Sequence, residues 1–278
     1  RVFSSERGLG SRLVGLFLAS LTLGAIYGLS GFLLYKWTGA GFPRAQLPFV
    51  GCNSAATLFA IGILTAIGCL PFSTHRVRAA LGLFILIMFT ALLATQSRGG
   101  LIALAAGLCA LAFQRGRFAV EMRFVIVLCL LLMMFGTSVI AYPPLYARYA
   151  SIFEPGANRD RLDIWRTAVS IVKDHPLVGI GVNNFRGVYM KYPHPDFVTM
   201  PHPFAHNIFL EFAAGTGLPG FLIFLWVVGL GVRNGLRGNS QLSRAALAAF
   251  IGLLTHLQVD ITIYSMDMAP LFFIIYGI

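Results

Sequence analysis

Long apolar stretches alternate with short polar ones along the chain, near residues 13–35, 55–72, 80–96, 101–113, 124–142, 217–232, 245–263 and 269–278. Backbone polar groups cannot go unpaired in lipid, so stretches of this kind predict helices that cross a bilayer. The run at 101–113 is short for a crossing. The chain starts at Arg1 and stops inside "APLFFIIYGI", and it reads as part of a longer protein.

One segment, 143–216, breaks the alternation. It carries Arg148, Arg159, Arg161, Arg166, Lys173, Arg186 and Lys191 against Glu154, Asp160, Asp163, Asp174, Asp196 and Glu211, with four of the six histidines. Within it, "RDRLDIWRTAVSIVKDHP" predicts an amphipathic helix whose apolar face is Leu162, Trp165, Val169 and Val172, stopped at Pro176. The expected organisation is therefore membrane helices over 1–142, a folded loop subdomain over 143–216 and further membrane helices over 217–278. The fold class is all-α, a polytopic transmembrane helical bundle with a large, partly helical loop.

Composition strengthens this picture. With 57% hydrophobic and 11% charged residues, the chain has too few charges to coat a soluble globule. The 21 Lys+Arg against 10 Asp+Glu do not form a run of the kind that binds nucleic acid. Eleven of the Lys and Arg fall in alternate loops, at Arg1, Arg7 and Arg12, at Arg76 and Arg78, at Arg115, Arg117 and Arg123, and at Arg233, Arg237 and Arg244. The positive-inside bias predicts that these loops are cytoplasmic, and that 36–54, 97–100, 143–216 and 264–268 face outward. Of Cys52, Cys69, Cys109 and Cys129, three lie inside apolar runs, and no disulfide is expected.

The candidate chemistry lies on that outer side. In "PFAHNIFLEFAAGTGLPGFLIFLW", His206 and Asn207 precede a span, and an imidazole there reads either as an interfacial anchor or as a base active near pH 7. Asn207 either orients that base or caps a helix. "TQSRGG" places Arg98 at the boundary of the run 80–96, where a guanidinium needs a partner, a headgroup or an anionic ligand. Arg159, Arg161 and Arg166 singly suit a solvated helix face, with Arg161 paired to Asp160 or Asp163. Taken as a set of planar donor forks, they suit a pyrophosphate. His256 and Asp260 stand at i, i+4 and predict one polar helix face, within reach of Asp267. His175, His194, His202 and His206 with Asp196 lack any metal-binding spacing, so no metal is expected. GxSxG and Asp-x-Asp are both absent.

"HNIFLEFAAGTGLPG", with His206, Asn207, Gly217 and Gly220, resembles the signature of the O-antigen ligases of Gram-negative bacteria. "SRGG", "RLDIW" and "HPLVGIGVNNF" are similar to other landmarks of the wider O-antigen ligase and polymerase superfamily, and the resemblance covers most of 55–232. It implies a GT-C-like glycosyltransferase of lipopolysaccharide biosynthesis, multi-pass in the bacterial inner membrane, with its active site facing the periplasm. Its partners would be membrane lipids, an undecaprenyl-pyrophosphate-linked glycan as donor and lipid A core oligosaccharide as acceptor, with no cofactor and no nucleic acid. Direct displacement would invert the anomeric centre.

Carried over residue by residue, the resemblance makes His206 the catalytic base and assigns Arg98 and Arg161 to the donor pyrophosphate. It matches Arg44, in "GFPRAQLPF", more loosely to another basic position. Asn207, Arg159, Arg166 and His202 would support them, and Arg98 and Arg161 are expected to converge on His206 in a cavity. O-antigen polymerases and protein O-oligosaccharyltransferases share the superfamily, and the histidine signature favours a ligase. A transporter or flippase of lipid-linked glycans is the reading from another class. Transporters gather ionisable groups near the midplane, whereas here they lie on one face.

Overall fold

The computed structural model describes residues 9–261 except 49, 71–72, 115–121, 152–153, 155, 157, 196–199 and 239. Arg1, Arg7, Arg115, Arg117, Asp196, Asp267, the turn at 264–268 and the run at 269–278 lie outside the described residues. The described residues form ten helices: α1 (Leu9–Thr38), α2 (Cys52–Cys69), α3 (His75–Ala94), α4 (Arg98–Gln114), α5 (Met122–Ala141), α6 (Pro143–Ala150), α7 (Arg159–Asp174), α8 (Phe185–Tyr189), α9 (Ile208–Arg237) and α10 (Gln241–His256). Among the described residues the only β pairing is a bridge between Leu47 and Val50.

Arg12–Thr38, Cys52–Cys69, His75–Ala94 and Ile208–Arg237 are long and apolar enough to cross a membrane. Cys129–Ala141 and Pro143–Ala150, bent by 107° to one another, make a fifth span if taken together. The protein is thus all-α and polytopic, as the apolar pattern predicts. Two boundaries differ. The helix expected from 217 starts at Ile208, and the run read to 263 ends as a helix at His256. His256 and Asp260 therefore share no helix face, because the chain has left the helix between them.

Two compact units divide the chain, one holding the residues up to Tyr149 with Asn234–His256, the other Ala150–Arg233 with Leu257–Ile261. In the first, α2 packs against α1, α3, α4 and α10 around Phe59, Ile63, Leu64, Met88 and Leu92. Lipid tails are as apolar as leucine, so such helices associate through close packing of small residues. A Cβ at Gly107 would stand 2.9 Å from Ala248 O, and one at Gly252 would stand 2.9 Å from Ala103 O. Glycine at these two positions lets α4 and α10 touch backbone to backbone.

In the second unit, Ile164, Ala168 and Ile171 of α7 pack with Phe185, Tyr189, Ala205 and Ala214. This corrects the expected apolar face: Leu162 and Val169 are exposed, and Trp165 and Val172 are only partly buried. The buried stripe also includes Asp163 and Thr167. A polar pair had disguised it in the sequence.

The same unit contains a break in α9. Gly217 adopts φ 69° and ψ −179°, a conformation open essentially only to glycine, and Pro219 has no N–H to give. The carbonyls of Ala214 and Gly215, four residues before Leu218 and Pro219, therefore lose their helical donors. They accept instead from Ile180 N and Gly181 N, each at 2.9 Å, while Leu218 N donates to Pro176 O at 2.7 Å. The "HPLVGIG" segment thus supplies the bonds that the broken helix lacks. Phe212 stacks on Phe224 at 4.1 Å, so the two halves of α9 fold toward each other at this point.

Candidate functional site

His206 occupies the left-handed region, φ 49°, immediately before α9. Its Nδ1 lies 3.2 Å from Asp260 Oδ1, with the side chains 28% and 19% exposed. No hydrogen bond to its Nε2 occurs among the described residues. Asn207 caps the helix, its Oδ1 accepting from Phe209 N at 3.0 Å and Leu210 N at 3.1 Å. Its Nδ2 donates to the Gln258 backbone at 3.2 Å. Ile208 N donates to Leu257 O at 2.8 Å, so the segment bearing Asp260 is tied to the start of α9. Buried Glu211 accepts from Ala205 N at 2.7 Å and closes the turn from the other side. Of the two roles open to Asn207 in the sequence, the structure shows the helix cap.

A row of rings leads away from His206. His202 meets it edge-on at 6.1 Å, Tyr189 meets His202 at 5.4 Å, and His194 stacks on Tyr189 at 4.1 Å. Asp163, nearly fully buried, anchors the far end: it accepts from Tyr189 Oη and pairs with His194 Nδ1, both at 2.8 Å. His194 Nε2 lies 2.8 Å from Tyr189 O, so both ring nitrogens face acceptors. Burial, reinforced by Asp163, pushes the Tyr189 phenol above its usual range. Burial, then the neighbouring His206, pulls His202 below the usual imidazole value.

On α7, Arg159 and Arg166 are exposed and Arg161 is half-buried. No ion pair or side-chain hydrogen bond to these three occurs among the described residues. The pairing of Arg161 with Asp163 suggested by sequence does not form, because Asp163 is turned to Tyr189 and His194.

Arg98 and Arg44 belong to the first unit and come to one turn there. Arg98 opens α4, half-buried. Arg44 Nε donates to Thr95 O at 2.7 Å and its Nη2 to Asn53 Oδ1 at 3.1 Å. Gln96, φ 53°, donates from Nε2 to Pro43 O at 3.4 Å, and Ala45 N donates to Ala94 O at 2.9 Å.

The histidines weighed as a zinc set serve separate ends: His194 is engaged by Asp163, His202 lies between Tyr189 and His206, and His175 closes α7. Sequence reasoning missed the trio of Asp163, Tyr189 and His194. Its signal was Asp163 itself, one residue before the stripe Ile164, Ala168 and Ile171, where a buried charge requires partners.

The profile of the O-antigen ligase family matches residues 83–225, just over half of the chain. The chain belongs to the O-antigen ligase family. Its family is one of ligase- and polymerase-type enzymes of O-antigen assembly. No curated protein gives a match. In this O-antigen ligase family member the matched region contains Arg98, α7, His206 and the break at Gly217, whereas Arg44 and Asp260 lie outside it.

Proposed function

We propose that the protein is an O-antigen ligase of the inner membrane, transferring glycan from undecaprenyl pyrophosphate to lipid A core oligosaccharide on the periplasmic face, where the loop subdomain 143–216 would lie. The observation that carries the reading is the contact between His206 Nδ1 and Asp260. A carboxylate that accepts the Nδ1 proton fixes the tautomer in which Nε2 holds a lone pair, the form required of a general base.

In the proposed step, His206 Nε2 removes the proton of the acceptor hydroxyl as its oxygen bonds to the anomeric carbon. The bond from that carbon to the pyrophosphate breaks, and undecaprenyl pyrophosphate leaves with the electron pair. Fixed guanidinium groups stabilise the charge that develops on it. That role is assigned to Arg161, which has no competing partner among the described residues, and on the family resemblance to Arg98 and Arg44. His202 and Asn207 keep the turn of His206 in place, and Arg159 and Arg166 add positive charge along α7.

The test is single-turnover transfer from undecaprenyl-pyrophosphate glycan to lipid A core, alongside donor affinity, for wild type and His206→Ala. Loss of a general base typically costs about 100-fold to 10,000-fold in rate, roughly 3 to 5 kcal/mol. Such a loss with donor binding retained is the expected result. Near-normal transfer would remove His206 from the chemistry, and extension of a second lipid-linked glycan in place of lipid A core would make the protein a polymerase.

A further inference from the structure

The "HPLVGIGV" segment, residues 175–182, does more than bond to the break in α9. Its Leu177, Val178 and Val182 side chains are 72%, 80% and 64% exposed, an unusual cost for a soluble loop. Ile180 and Gly181 are fixed on Ala214 and Gly215, and Pro176 on Leu218, so these apolar side chains are held on a tethered loop. A Cβ at Gly217 would meet Leu177 C at 2.6 Å and Val178 N at 2.8 Å, which places both residues against the break itself.

The depth of that break follows from the helix beyond it. The residues from Leu218 to Arg237 rise about 30 Å at 1.5 Å each, the thickness of the apolar layer of a bilayer. With Arg233 and Arg237 at one boundary, Gly217 falls at the opposite one. Along this half of α9, Leu218, Leu222, Ile223 and Trp226 are exposed, as side chains facing acyl chains are. Leu177 and Val178 continue that surface past Leu218. Irregular backbone at membrane depth persists only where protein satisfies its polar groups, and here Ala214 O, Gly215 O and Leu218 N all have protein partners.

We propose that residues 175–182 form an apolar wedge seated in the bilayer, with Leu177, Val178 and Val182 among the acyl chains at the boundary marked by Gly217. The occupant of this surface is the lipid bilayer itself. The wedge holds the break, and with it the helix that starts beside His206, at a fixed depth. The inference does not depend on the proposed reaction, and its test reads no activity.

In the protein with its native cysteines replaced by alanine, reconstituted in phospholipid vesicles, single cysteines at 178, 182, 222 and 186 are spin-labelled. Power saturation then compares collision with oxygen, which partitions into lipid, and with a water-soluble nickel chelate. Labels at 178 and 182 are expected to match the label at Leu222, open to oxygen and closed to nickel, while the label at exposed Arg186 shows the reverse. Two positions keep the test intact if one variant fails to insert. Nickel access at 178 and 182 equal to that at 186 would place the loop in water, and shielding from both reagents would mean that protein covers it. Either result overturns the proposal.

Discussion

The turn before α4 and the turn before α9 share a backbone plan. In each, a residue other than glycine takes a left-handed conformation, Gln96 at φ 53° and His206 at φ 49°, and the next residue accepts hydrogen bonds from the helix's first N–H groups. Ser97 Oγ does so for Gly100 N, and Asn207 Oδ1 for Phe209 N and Leu210 N. Left-handed placement costs about 1 to 3 kcal/mol and persists only where the surroundings enforce it. They do so differently. Around Gln96, the amide and the neighbouring Arg44 are bound to main-chain carbonyls, so the turn behaves as a brace for the base of α4. Around His206, the carboxylate of Asp260 holds one ring nitrogen, and the other has no hydrogen bond among the described residues. One backbone device thus braces the base of a helix in the first unit and holds an imidazole against a carboxylate in the second.

The largest effect expected from this difference appears when each left-handed residue becomes glycine, which takes that conformation without strain. Relief of strain is offset by the greater freedom of glycine in the unfolded chain, so each change should alter stability by less than about 1 kcal/mol. Transfer should part company: His206→Gly is expected to lose about 100-fold to 10,000-fold, and Gln96→Gly to stay near wild type. A comparable collapse in both would show that the backbone, not the imidazole, is what transfer requires.

Asp260→Asn comes next. The amide retains shape but replaces a charge-assisted hydrogen bond, worth about 1.5 to 3 kcal/mol, with a neutral one. Single-turnover transfer should fall roughly tenfold to a hundredfold, with donor affinity unchanged. Its counterpart in the other turn, Asn53→Ala, removes a partner of Arg44, a proposed donor contact, and should alter donor affinity while single-turnover transfer at saturating donor stays close to wild type. An inert Asp260→Asn would separate the carboxylate from the mechanism.

These contrasts also mark what the sequence could tell. His206 and Asn183, φ 62°, lie in the "HNIFLEFAAGTGLPG" and "HPLVGIGVNNF" stretches that carry the resemblance, and Gln96 immediately precedes another of them, "SRGG". Local motif chemistry and apolar runs were legible because a cap, a glycine or a span is specified within a few residues. The partners were not, because they come from far along the chain: Arg44 reaches Thr95 across 51 positions, and Asp260 reaches His206 across 54. The i, i+4 spacing of His256 and Asp260 even suggested a false pair, since periodicity carries no mark of where a helix stops. On α7 the apolar residues pointed to Leu162 and Val169, whereas the buried face holds an aspartate satisfied by Tyr189 and His194.

The smallest effect concerns acid. Burial first, and then the like charge of His206, pulls His202 below the usual 6.5, with a further lowering from His194 and opposing pulls from Asp160 and Asp163. The folded protein therefore binds this proton less readily than the unfolded chain. Above pH 6.5 both states leave His202 neutral and the difference contributes nothing. As pH falls through 6.5 the unfolded chain takes up a proton that the folded state resists, so stability declines until the folded His202 titrates too. His202→Gln removes the proton but keeps a polar side chain, and its Tm should fall less than that of wild type between about pH 7 and pH 5. The turn of Gln96, Ser97 and Arg98 holds no group that titrates in that range, so Gln96→Gly should keep the wild-type pH dependence of Tm. If His202→Gln lost as much Tm as wild type on acidification, the sensitivity would lie outside the row of rings, and that row would be packing alone.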